Sequence, residues 1–190
     1  MKKLILGFVV LFFSMVAMGQ HMTFKGVEID GSVQECVDKL VAKGFRYVGV
    51  DDNDVVMMIG DFAGFRDCKV IVFAMEEVGV VNSIGVVFPE KEDWSSVERD
   101  YNMLKEMLTE KYGLPYKVVE EFHGRVFDDN ELKFMFLTTD RCTWMTTFET
   151  DKGDIELFVQ KIDYKSAAVV LKYYDKFNTD MVRSAAIDDL

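Results

Sequence analysis

The chain carries few side chains able to do chemistry. Its 190 residues include two histidines, His21 and His123, and three cysteines, Cys36, Cys68 and Cys142. Catalysis needs a base, a nucleophile or a metal within reach of one another. A nucleophilic pair of Cys142 with His123 is conceivable. However, Cys142 opens an apolar strand pattern, and the similarly placed Cys68 has no matching histidine, so both thiols read as small buried hydrophobes. His21 reads as part of a disordered terminus, and His123 as part of a turn. No GxSxG, HExxH or phosphate-loop pattern is present. Asp51, Asp52 and Asp54 gather negative charge but lack the glycine and closing glutamate of an EF-hand loop, so they read as a solvated turn. Glu120 and Glu121 are adjacent, which in a strand sends them to opposite faces and not to one sugar. No CxxC or Cys/His cluster offers a structural zinc site. The expectation is a chain with no catalytic residue, no metal site and no cofactor. A carboxylate pair drawn from distant segments stays open as the alternative.

Composition sets the frame for those residues. Apolar residues make up 49% of the chain and there are only two prolines, which suits a packed interior in one domain or two small ones. The formal charge of −11 argues against nucleic acid and against an anionic membrane surface, because both need a basic face. Met1-Lys2-Lys3, the apolar run 4–17 and the small residues of Ala17-Met18-Gly19 have the form of a signal peptide over residues 1–19, with Gln20 as the new first residue. That run falls short of the roughly 20 residues a membrane helix needs. The expected location is the periplasm or outside the cell, with no stable membrane insertion after cleavage. An oxidising compartment makes the odd number of cysteines notable. At least one thiol stays free or pairs between chains, and whether any disulfide forms is open.

Two capping boxes organise the rest of the chain. Ser32 with Glu35 opens a helix whose Val33, Cys36, Val37, Leu40 and Val41 share one face, and Gly44 ends it. Ser95 with Glu98 opens a second, with a stripe of Val97, Tyr101, Leu104, Leu108 and Tyr112, closed by Gly113 and Pro115. After each helix the period falls toward two. Strands are expected at 45–50, 55–59, 68–75 and 81–88, then at 116–122, 142–149, 155–162 and 167–174. Asp151-Lys152-Gly153 reads as a hairpin turn. Residues 22–29 read as a short leading strand, 131–138 as either helix or strand, and 180–188 as a last helix capped by Asn178 or Thr179. Helix, strands and cysteine in the same order twice suggest duplication, with a first unit at 20–92 and a second at 93–190. Amphipathic helices and alternating strands bury one another when helices lie on one face of an antiparallel sheet, so the expected fold class is α+β.

The segments FKGVEIDGS (24–32), KYGLP (111–115) and DRCTWMTTFET–DKG–DIELFV (140–159) set this order out. In order and pattern, residues 22–176 resemble the tandem-repeat architecture of β-lactamase inhibitor protein and of small bacterial exported proteins with related α+β repeats. The resemblance implies a sheet face that grips a partner protein. The inhibitor's pair of disulfides has no match in three cysteines, and lactamase inhibition is not carried over.

Strand parity then points to a surface. If Ile155, Leu157 and Val159 face the helices, the other side of the sheet carries Ile71, Phe73, Met75, Met145, Phe158, Val170 and Tyr174. Aromatics and Met are the residues that interfaces favour, and a contiguous patch of them needs a reason to exist. The leading expectation is an exported, non-catalytic binding module that holds a protein or peptide on this face, its acidity favouring a basic partner. The alternatives are a secreted hydrolase with a cleft between the two units, and a homodimer that uses the face as its own interface.

Overall fold

A computed structural model describes residues 20–51, 55–75, 79–125 and 128–188. The expected leader at 1–19 lies outside these residues, as do Asp52 and Asp54 of the acidic turn. Over these described residues the chain is α+β, built from four helices, an eight-stranded antiparallel sheet and one small hairpin.

The small hairpin comes first, as β1 (Thr23–Phe24) and β2 (Val27–Glu28). Residues 22–29 are therefore two short strands and not one, because Lys25 and Gly26 both adopt positive φ and reverse the chain. Helix α1 (Val33–Ala42) begins at Ser32 with the reciprocal Ser32–Glu35 box in place. Its Cys36, Val37 and Leu40 are buried, while Val41, expected on the same stripe, is half exposed. Four strands come next: β3 (Arg46–Val50), β4 (Val56–Phe62), β5 (Phe65–Ala74) and β6 (Val81–Val87).

Helix α2 (Trp94–Tyr112) starts earlier than the Ser95 box suggests. Asp93 is its cap and accepts the Ser96 amide. The shift makes Trp94 the first helical residue and places its ring in the core at 0% exposure. Strand β7 (Lys117–Phe122) is next, then α3 (Asn130–Thr138), capped by Asp129, which settles 131–138 as helix. Strands β8 (Cys142–Thr150), β9 (Gly153–Lys161) and β10 (Ala167–Tyr174) complete the sheet. The β8–β9 turn needs Gly153. Its φ is +151° and a Cβ there would stand 1.9 Å from the Tyr174 carbonyl oxygen, so only a missing side chain lets the hairpin close on the end of β10. Helix α4 (Lys176–Asp188) begins before Asn178, and Asp175 Oδ1 accepts the Asn178 amide at its head.

The strand order is β3-β4-β5-β6-β10-β9-β8-β7, with every neighbour antiparallel. The main buried cluster joins α1, α2 and α3 to one face only, through Met58, Val70, Ile84, Val86, Leu171, Leu157 and Phe148. Tyr101 on α2 reaches Thr146 on β8 with a 2.5 Å hydrogen bond between fully buried groups, which fixes the helix over the sheet. Beside it Trp94 stacks edge-on against Trp144 at 4.9 Å, with Phe122 and Phe136 packed around them.

A buried polar knot ties the N-terminal hairpin to the start of α4. Asp175, at 0% exposure, accepts the Met22 amide at 2.7 Å and lies 3.1 Å from His21 Nδ1. Asn178 donates to the Ile29 and Val81 carbonyls and to Asp30. His21 is thus held between Asp175 and Asp30 and against the Phe177 ring, not loose at a terminus, because a buried carboxylate requires donors. Asn178→Ala leaves two buried carbonyls without their donor and should lower unfolding stability by about 2–3 kcal/mol in urea titrations. A loss near zero would show that the knot is loose in solution.

Candidate functional face of the sheet

Residues that pair directly across an antiparallel sheet share a face. That rule makes the register a map. One row runs from Ile59 through Lys69, Val87, Val170, Phe158 and Met145 to Val119, across seven strands. A second passes through Met57, Ile71, Gly85, Lys172, Glu156, Thr147 and Lys117. A third links Phe73, Ser83 and Tyr174. All three lie on the face turned away from the α1–α3 cluster.

Of the seven candidate residues, Ile71, Phe73, Met145, Phe158, Val170 and Tyr174 share this face. Ile155, Leu157 and Val159 lie on the other, in or against the main cluster. Val170 is 6% exposed and the other five are half-buried, shielded by their neighbours in the rows. Met75 stands apart. Met75 is buried just past the end of β5, where its amide bonds to Val80; the register shift beside it is taken up in β6, whose Ser83 and Val81 oppose the consecutive Phe73 and Ala74. A bulge of this kind leaves no sign in the strand pattern.

The centre of the face is polar and built. Lys172 Nζ lies 4.2 Å from the Phe73 ring centroid and 4.7 Å from that of Tyr174. The Tyr174 hydroxyl donates to Glu156 Oε2 at 3.0 Å. Burial pulls the Lys172 ammonium pKa down, and Glu156 only partly offsets it. Burial likewise raises the Tyr174 phenol, with Glu156 adding to the shift. A cation over a ring gains about 0.5–2 kcal/mol, the upper end when desolvated. The downward direction for Lys172 shows that desolvation outweighs its partners here. Gly85, paired with Lys172, leaves room for the Phe73 ring to lie over the strand: a Cβ there would meet the ring at 3.3 Å. Alternation identifies Lys172 as outward-facing. Its neighbours Phe73 and Glu156 come from strands remote in sequence, so no local signal gathers the cluster.

The chemistry weighed for catalysis does not assemble. Cys142 pairs with Phe122 on the helix side, while Thr143, one residue on, faces the other way and bonds His123 Nε2 at 2.8 Å. The imidazole and the thiol are therefore on opposite sides of β8. Burial alone pushes the Cys142 thiol up to about 12. Cys36 and Cys68 are pushed up to about 11, again chiefly by burial. All three are free thiols. Glu120 and Glu121 take opposite faces, Glu120 bonding Lys105 at 2.5 Å and Glu121 lying 3.8 Å from His123. Among the described residues no group of three or more His, Cys, Asp or Glu side chains is arranged to hold a metal ion. One depression, where the β8–β9 turn meets α4, has a volume of about 190 Å³ and an acidic lining that includes Glu149, Asp154 and Asp180. Wider and shallower depressions include one of about 620 Å³ along α2, lined by Asn102, Lys105, Glu106, Thr109 and Glu110. No described helix is long and apolar enough to cross a membrane.

No protein-family model, curated protein or solved structure matches this chain.

The thiols give a pH-dependent readout. A thiol raised in the folded chain keeps its proton where the unfolded chain gives its proton up. The stabilisation is whole below the ordinary thiol value and is lost as pH climbs toward the folded values of about 11 and 12. Urea midpoints should hold level up to about pH 8.5 and fall above it. A disulfide-exchange reagent at neutral pH should find no thiol in the native chain and all three after denaturation; a native thiol that reacts at once would place that cysteine at the surface.

Proposed function

We propose that this chain is an exported, non-catalytic binding module that holds a protein or peptide on the face of the sheet away from the helices. The observation that carries the reading is the apolar stretch of the register row from Val87 through Val170, Phe158 and Met145 to Val119, flanked on its other side by Lys69, Ile59 and Arg46. An apolar line with charges toward one end, next to a row holding Lys172 and Glu156, has the makeup of a docking surface: apolar contact supplies affinity and fixed polar groups supply register. The acidity of the chain favours a partner with basic groups flanking an apolar anchor. The leader-like residues 1–19 support export.

The duplication reading belongs with this function. Helix α1 precedes β3–β6, and α2 precedes β7–β10 with α3 inserted. In the sheet the two sets run in mirror order and meet through their last strands, β6 and β10. A duplicated helix-plus-four-strand unit joined in this way doubles the width of one sheet face, which suits an extended partner more than a small molecule.

Selection of a random peptide library on the protein tests the reading. Selected peptides should shift the backbone amide resonances of β5, β6, β10, β9 and β8. Phe158→Ala should weaken them at least tenfold, by about 1.4 kcal/mol or more, with the melting temperature nearly unchanged. Peptides that map to the helices, or a variant that loses much of its stability, would sink the proposal.

A further inference from the structure

The two edges of the sheet differ. Strand β7 carries Lys117, Glu120 and Glu121 among its six residues, and such charges discourage a further strand. Strand β3 carries one charge, Arg46, at its first position. Its Tyr47, Val48 and Val50 are 48%, 46% and 51% exposed. Among the described residues no strand pairs with its outer edge. An exposed apolar edge without guarding charges is a template for another strand.

We infer that β3 pairs antiparallel with β3 of a second copy, joining two sheets into one. The register rests on the bulge between Tyr47 and Gly49. Tyr47 pairs with Met58 and Val50 with Val56, both residues of the helix-side cluster. Residues three apart would ordinarily face opposite sides; the bulge brings Tyr47 and Val50 to the same side. A two-fold axis normal to the sheet requires paired residues to share a face. Tyr47 against the partner's Val50 meets that condition. The same register sets Arg46 against the partner's Asp51, joining opposite charges at both ends of the ladder. Asp51 is exposed, and its carboxylate also caps the Val55 amide at 2.9 Å. A five-residue ladder makes a small interface, so the dimer dissociates on dilution. This surface is separate from the face proposed for partners, and pairing at the edge leaves that face free.

Sedimentation velocity from low micromolar to near-millimolar protein tests the inference. Wild type should pass from monomer to dimer across that range. Val50→Lys should shift the transition at least tenfold toward monomer, and Val48→Lys provides a second disruptor. Tyr47→Glu combined with Val50→Lys should restore the dimer, because in this register each introduced glutamate faces a lysine introduced on the opposite strand. Both positions are half exposed, so unchanged melting and circular dichroism confirm that each variant is folded. A wild type that stays monomeric throughout, a dimer indifferent to Val50→Lys and Val48→Lys, or a double variant that stays dissociated would overturn the inference.

Discussion

The pairing of β6 with β10 is the constraint on which the rest of the structure depends. Five register pairs, from Val170–Val87 to Tyr174–Ser83, join strands more than 80 residues apart in the chain. Everything outward on either side inherits its facing from that seam. A slip of one residue would turn Leu171 and Tyr173 away from the helices and bring Lys172 under them. The burial of Ile84, Val86, Leu171 and Tyr173 opposes such a slip on one side. The aromatic cage around Lys172 opposes it on the other.

The two faces are held by different physics. Beneath the helices the sheet is closed by apolar packing, with the Tyr101–Thr146 bond as a polar pin. On the other face the side chains bury one another only partly, and an ammonium is retained against a desolvation penalty. Such burial is not the most stabilising choice for a sheet, since an apolar side chain at Lys172 would avoid the penalty.

The strands are legible in the sequence because alternation of β-branched and aromatic residues is local: 81–88 and 167–174 fall within a residue of β6 and β10. The first helix is legible through Ser32 and Glu35. The second is displaced by two positions, because Ser95 and Glu98 satisfy the same local rule as the true cap, Asp93, and only burial of Trp94 decides between them. Residues 131–138 are ambiguous in sequence because Phe134, Phe136 and Leu137 fit either period, and it is the Asp129 cap and packing on α2 that select helix. Six of the seven surface positions share one face, since parity carries along an unbroken strand; Met75 lies beyond the last register pair of β5. The Asp175–Asn178 knot and the Lys172–Phe73–Glu156 cluster leave no trace in sequence, as each is assembled from segments that meet only in the folded chain.

The placement of Trp94 and Trp144 carries a practical consequence. They are the only two indoles of the chain, and they touch each other. Neither ring nitrogen has a hydrogen-bond acceptor among the described residues. Intrinsic fluorescence therefore originates at a single seam, where α2 meets β8, and the emission of the two rings cannot be independent. Changes in that signal report separation of the helix from the sheet. Events confined to the far side, where Phe158 and Tyr174 lie, would leave the emission spectrum largely silent, and an optical assay aimed there needs a probe of its own.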